Sequence, residues 1–243
     1  MKTLIYDCEI AESPEVWGWK NYEKLGLTVI GAWWNYPFPR FEAFRCDRAG
    51  DFERFQELVY RADRIIGFNS LSFDDPLCRA HGISIKTTFD VLAETRALSG
   101  QPRHYVRGVT RRGYSLDRLA RANFGKGKTG HGAEAPKLWQ QGRRGEVIAY
   151  CLNDVRLTRD LYYLLQNDRL IDPTTLAGLG SYDFVARKIP APFDAIAWAC
   201  GLRQRNNGAW YGHRHQREHF DLLTRNRQYK KPKNPVPDFD IPF

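Results

Sequence analysis

Asp7 and Glu9 stand two residues apart in Leu4-Ile5-Tyr6-Asp7-Cys8-Glu9-Ile10, an apolar, β-branched and aromatic run near the N-terminus. Such a run reads as a strand, and residues two apart on a strand point to the same face. The two carboxylates are therefore neighbours in space. Side by side in a central strand they repel and are costly to desolvate, unless a cation lies between them. Hard divalent ions such as Mg²⁺ prefer oxygen ligands of this kind. A strand end facing solvent explains most isolated Asp-x-Glu pairs, so the metal reading depends on what the rest of the chain supplies.

Two further segments supply the missing groups. Arg64-Ile65-Ile66-Gly67-Phe68-Asn69 reads as a short strand that continues through Ser70-Leu71-Ser72-Phe73-Asp74-Asp75-Pro76-Leu77 into a helix. Proline is tolerated in the first helical turn, so Pro76 marks the start and places Asp74 and Asp75 at its N-terminal edge. Alone, such an Asp is an ordinary N-cap. From Gly145 to Leu165 apolar residues recur at helical spacing, and Tyr150 and Asp154, four apart, share one face of that helix. Each is explicable singly, as a core aromatic and a solvated carboxylate. Together the three segments fit a metal site that cuts phosphodiesters.

The elements between these segments must position them. Leu27 to Trp34 and Phe41 to Arg45 read as successive strands after the first, a meander at one edge of a mixed sheet. Asp51 to Arg61 reads as a capped helix, Phe89-Asp90-Val91-Leu92 as a passage into another, and Ser115 as the cap of a helix opening at Leu116. Asp90 is a carboxylate near the expected site and is read as structural. Ser99 to Gly113 has no clear period and reads as a long loop, a kind of segment usually functional or disordered.

In order and spacing, these residues resemble the DEDD superfamily of exonucleases, the DnaQ-like group with a ribonuclease H-like fold. Asp7-Cys8-Glu9 matches its first motif, Asn69 to Asp74 its second and Tyr150 to Asp154 its third. The tyrosine is that of the tyrosine subclass; the other subclass carries a histidine five residues before the last aspartate, where this chain has Ala149. The second motif is most similar to that of family-B DNA polymerase proofreading domains. The resemblance covers roughly residues 1 to 167. It implies an α/β fold with a mixed central sheet flanked by helices. It also implies a two-metal-ion hydrolysis in which Asp7 bridges two Mg²⁺ or Mn²⁺ ions and Glu9, Asp74 and Asp154 complete their shells. The family pattern puts the ligand directly after the phenylalanine, which selects Asp74 and leaves Asp75 as a cap or helix-dipole partner. Tyr150, with an ordinary pKa of about 10, is a poor general base near neutrality and reads as a group that orients water. Asn69 and Phe73 either contact the terminal nucleotide or pack.

The chain has 243 residues and a formal net charge of +9, which points to a polyanionic partner. Arg103, Arg107, Arg111, Arg112, Arg118, Arg121, Lys126 and Lys128 crowd a stretch in which Asp117 is the only acid. With His104, Tyr105 and Tyr114 among them, they read as a phosphate-tracking, base-stacking surface or as a solvated basic loop. Lys126-Gly127-Lys128-Thr129-Gly130 lacks the glycine spacing and preceding strand of a P-loop, which excludes a nucleoside triphosphatase. Five scattered cysteines argue for reduced thiols in a cytoplasmic compartment, and a prokaryotic or phage-encoded protein is expected. No signal peptide or long apolar run suggests a membrane.

Three regions are expected: an exonuclease domain over 1–167, an extension over 168–229 with a helix at Ala195 to Cys200, and a tail over 230–243. His213, His215 and His219 lack a companion ligand at zinc spacing. Lys230 to Pro237 has linker composition, and Asp238-Phe239-Asp240-Ile241-Pro242-Phe243 resembles the tip of bacterial single-stranded DNA-binding proteins, which docks partner proteins. The expected activity is 3′→5′ exonucleolytic cleavage of single-stranded DNA ends. Trimming of RNA and an adaptor role through the tip stand as alternatives.

Overall fold

The computed structural model describes residues 1–128, 134–167, 169–176 and 178–179, together with the backbone of two short strands further on. The central strand β1 (Thr3–Ile10) pairs antiparallel with β2 (Leu27–Trp34), from Leu4 opposite Trp34 to Glu9 opposite Val29, and β2 pairs antiparallel with β3 (Arg40–Arg45). On its other side β1 runs parallel to β4 (Arg64–Gly67), which runs parallel to β5 (Phe89–Asp90). The order β3-β2-β1-β4-β5, with helices on both faces, is a ribonuclease H-like α/β fold.

Strand alternation divides β1 between two cores. Leu4, Tyr6, Cys8 and Ile10 pack with Phe55, Leu58 and Val59 of α3 (Asp51–Arg61) and with Leu77 and Cys78 of α4 (Asp74–Ala80). Ile5 points the other way, toward Val155 and Leu161 of α8 (Arg144–Gln166), and Asp7 and Glu9 share its parity. A helix of 23 residues is about 34 Å long, enough to cross the sheet. It comes close because β2 carries Gly31 beneath it: a Cβ there would lie 2.8 Å from Cys151 Sγ and 3.2 Å from a Val155 methyl.

Between β1 and β2 the chain inserts two single-turn helices, α1 (Pro14–Trp17) and α2 (Tyr22–Leu25). Past β5 come α5 (Val91–Leu98), the irregular stretch expected from the sequence, and α6 (Leu116–Phe124), capped by the Ser115 hydroxyl accepting from Arg118 N–H. The short α7 (Ala135–Gln140) precedes α8. The pair β6 (Leu170–Ile171) and β7 (Gly178–Leu179) adds Leu170 and Leu179 to the core of α6 and α8, so the compact unit runs from Met1 to Gly180.

The second unit, Ser181–Phe243, is described only by an antiparallel pair, β8 (Arg203–Gln204) with β9 (Trp210–Tyr211). The helix expected at Ala195 to Cys200, the three histidines, Thr129 and Gly130, and the tip from Asp238 to Phe243 lie outside the described residues. Among the described residues, Cys8, Cys46, Cys78 and Cys151 are free thiols, and no helix is long and apolar enough to cross a membrane.

Candidate metal centre

Strand β1 sets Asp7 and Glu9 beneath α8, with oxygens of both and Cys151 Sγ within 4.8 Å of one another. Asp74 joins them from α4. Its Oδ1 accepts from the Cys8 N–H at 3.0 Å, the amide that lies between Asp7 and Glu9 in the strand. The bond ties the helix start to the strand and fixes one carboxylate oxygen beside the pair. From α8, Tyr150 and Asp154 complete the group, and the Lys128 ammonium donates to both, at 3.0 Å for the Tyr150 hydroxyl.

The loop leading to Asp74 is held by Asp90. Its Oδ1 accepts from the N–H groups of Asn69, Leu92 and Ala93 at 3.0, 3.0 and 3.1 Å, and its Oδ2 from Leu71 N–H at 3.1 Å. One carboxylate thus caps α5 and shapes the turn in which Asn69 takes φ +62°, a left-handed conformation that asparagine tolerates better than most residues. Asp75 stands in the first turn of α4, where an acid meets the helix dipole as expected, but it caps no N–H of the helix. Its Oδ2 accepts from Thr87 N–H and its Oδ1 from the hydroxyls of Thr87 and Tyr6, which anchors α4 on the opposite side of β1. Adjacent aspartates at a helix start are thereby used for different purposes.

Charge is concentrated in this group. Burial, then the neighbouring Asp154 and Asp74, pushes the Asp7 carboxyl well above the carboxylate range; burial, then Asp7, does the same to Glu9. Burial lifts Asp74 to about 7 against the opposing backbone hydrogen bond from Cys8. Asp154 is also raised by burial, with Lys128 pulling the other way. Burial and Asp154 raise the Tyr150 phenol, so it stays protonated near neutrality. Burial works against the Lys128 charge, but Asp154 and Asp7 override it and hold the ammonium above its ordinary value. Among the described residues Lys128 is the one cation that forms an ion pair with any of the four carboxylates, and that pair is with Asp154.

A divalent ion fits these residues. Asp154 Oδ1 is buried without a partner, an unsatisfied acceptor of a kind rare in folded proteins. The donor set is carboxylate oxygen, which suits Mg²⁺ or Mn²⁺. A lysine ammonium already pairs with Asp154 and is held charged by Asp154 and Asp7, so this side of the group favours positive charge. Cys151 does not extend the ligand set: burial raises its thiol, which accepts from Gly31 N–H at 3.2 Å and donates to the Asp7 carbonyl at 3.4 Å, a packing contact between α8 and the sheet.

The group opens into a cavity of about 610 Å³, a size typical of small-molecule sites. Asp7, Glu9, Asp74, Tyr150 and Asp154 all line it, as do Asn69, Phe73 and Lys128. Arg103, Arg107, Arg111, Arg112 and Lys126 do not; Arg103 instead pairs through two nitrogens with Glu94. Trp19 and Arg96 line the cavity without having been singled out in the sequence. Trp19 follows α1, is 68 % exposed and stands edge-on to Phe73 at 5.8 Å, with Tyr22 on the same ring at 6.1 Å. Its segment has no period to mark it, and only its density of aromatic residues was a signal. Arg96 is the lone cation of α5, directly after Glu94 and Thr95, and no motif marks it.

No family model matches the sequence, and no curated protein matches it. Two solved structures are similar in outline. The family B DNA polymerase from the hyperthermophilic archaeon Pyrobaculum calidifontis shares 19 % identity at a TM-score of 0.47, over 74 % of this chain and 26 % of the polymerase chain. A structure described as an ExoI/SSB-Ct complex shares 16 % identity at a TM-score of 0.38, over 81 % of this chain and 50 % of the other. The chain thus spans about a quarter of the first and half of the second.

Proposed function

We propose that this chain is a Mg²⁺- or Mn²⁺-dependent 3′→5′ exonuclease acting on single-stranded DNA ends. Asp7, Glu9, Asp74 and Asp154 would hold the ions, which when bound supply charge neutralisation and water activation for phosphodiester hydrolysis. The supporting observation is the meeting of four carboxylates, drawn from a strand and two helices, around an unsatisfied acceptor at the wall of an open cavity. Such a charge cluster costs stability unless it holds cations.

The remaining residues have roles that follow from their surroundings. Tyr150 keeps its proton, so it acts as a hydrogen-bonding group that orients a water, and takes no proton itself. Lys128 places a positive charge on the side of α8 from which a phosphate would approach Asp154. Trp19 and Phe73 offer aromatic surface at the cavity, where bases of an unpaired strand can stack, at about 1–3 kcal/mol per base. Polarity from the 3′ end is what the sequence resemblance implies.

Linear and circular single-stranded DNA, and RNA of the same sequence, distinguish the outcomes. Metal-dependent loss of the linear DNA with the circle intact is expected. Cleavage of the circle would show an endonuclease, and faster loss of RNA would move the substrate to that polymer.

A further inference from the structure

Among the described residues Arg96 stands at the cavity without a hydrogen-bond or ion-pair partner for its side chain. It sits on α5 one turn after Leu92, and residues four apart share a helix face; both line the cavity. Its Nε is buried and has no hydrogen-bond partner, and the side chain forms no ion pair among the described residues. The acid it senses is Asp90, whose two oxygens are taken by four backbone N–H groups. Burial pulls the guanidinium down from its ordinary value, with Asp90 opposing, yet arginine stays charged in proteins. Nearby arginines differ: Arg103 is held by Glu94 and Arg121 by Asp117.

A half-buried guanidinium with an orphaned N–H costs desolvation, which Asp90 offsets only in part. The acceptor that repays it best is a charged one that can present two oxygens to the guanidinium fork, and phosphate is the anion a nucleic-acid strand brings. Among the described residues Arg96 makes no hydrogen bond or ion pair with Asp7, Glu9, Asp74 or Asp154, and the one acid that acts on its charge is Asp90, which leaves it to hold a phosphate beside the one at the metal centre. In a strand cut at its last linkage, the only neighbouring phosphate lies one nucleotide to the 5′ side.

We infer that Arg96 is a positioning residue that grips the phosphodiester next to the scissile one, so that the enzyme prefers ends carrying at least two linkages. This rests on the exonuclease reading above. The residue fixes the strand and takes no part in bond breaking.

The test compares wild type, Arg96→Ala and Arg96→Lys on a short single-stranded DNA, with and without an uncharged methylphosphonate at the penultimate linkage. On the ordinary strand, Arg96→Ala is expected to raise KM about 10-fold or more, the effect of losing a charge-assisted hydrogen bond, with kcat little changed. Methylphosphonate should raise the wild-type KM similarly and leave no further effect for Arg96→Ala. Arg96→Lys should recover part of the loss. An equal KM penalty from Arg96→Ala on both strands, or a loss in kcat with KM unchanged, would overturn the assignment and mark the residue as structural. If the wild type cleaves neither strand, the exonuclease reading fails by itself. Fluorescence anisotropy of the same strands then decides for Arg96: weaker binding by Arg96→Ala confined to the charged linkage supports the contact, and equal binding overturns it.

Discussion

Stripped of metal, this protein should lose stability as pH rises through the neutral range. Burial holds the Asp74 carboxyl up to about 7, against an ordinary 3.8. A carboxyl raised on folding binds its proton more tightly in the folded state, so its contribution is fully present below the unfolded value and is lost as pH rises through the folded one. The window is therefore about pH 4 to just above 7, and at 1.36 kcal/mol per factor of ten Asp74 alone contributes on the order of 4 kcal/mol. Asp7, Glu9 and Asp154 are raised in the same direction and add to the slope. Asp117 is held low by its hydrogen bond to Arg121, so its opposite contribution falls below this window. The assay is urea unfolding at about pH 5 and about pH 8, in chelator and in Mg²⁺, for wild type and Asp74→Asn. Stability should fall with pH in chelator, much less with metal, and less in Asp74→Asn. A flat metal-free profile, or an undiminished slope in Asp74→Asn, would refute the reasoning.

Other outcomes follow from particular contacts. Gly31→Val forces a side chain against Cys151 and Val155, and overpacking of this kind costs about 1–3 kcal/mol; thermal melting should fall together with cleavage, because α8 carries Tyr150 and Asp154. Asp75→Ala strands Tyr6 and Thr87 and should cost about 3 kcal/mol in denaturant unfolding, whereas Asp74→Ala should abolish cleavage and stabilise the metal-free protein above neutrality. Tyr150→Phe should slow single-turnover cleavage roughly 10²-fold while metal binding, followed by calorimetry, changes little. An unchanged rate in that variant would remove the tyrosine from the water-orienting role.

Elements with a strong local signal were legible in the sequence. The β-branched runs of β1, β2 and β4 gave strands at the observed places, and the helix read from Asp51 to Arg61 has those bounds. Spacing two on a strand and four on a helix was enough to put Asp7 with Glu9 and Tyr150 with Asp154. What could not be read depends on packing between distant segments. Nothing local separates Asp74 from Asp75; they diverge because Cys8 N–H meets one and Thr87 and Tyr6 meet the other. Lys128 lay within a basic run, and only the fold draws it apart from Arg107, Arg111 and Arg112 to Asp154. Trp19 and Arg96 reach the cavity through an insertion and a helix that carry no motif.

The measurement that bears most directly on the carboxylate centre is digestion of 5′-labelled single-stranded DNA by wild type and Asp7→Ala, with Mg²⁺, Mn²⁺ or chelator. A ladder shortening from the 3′ end, present with metal and absent in chelator and in folded Asp7→Ala, is the predicted result. Equal digestion by wild type and Asp7→Ala, or digestion unaffected by chelator, would contradict the account.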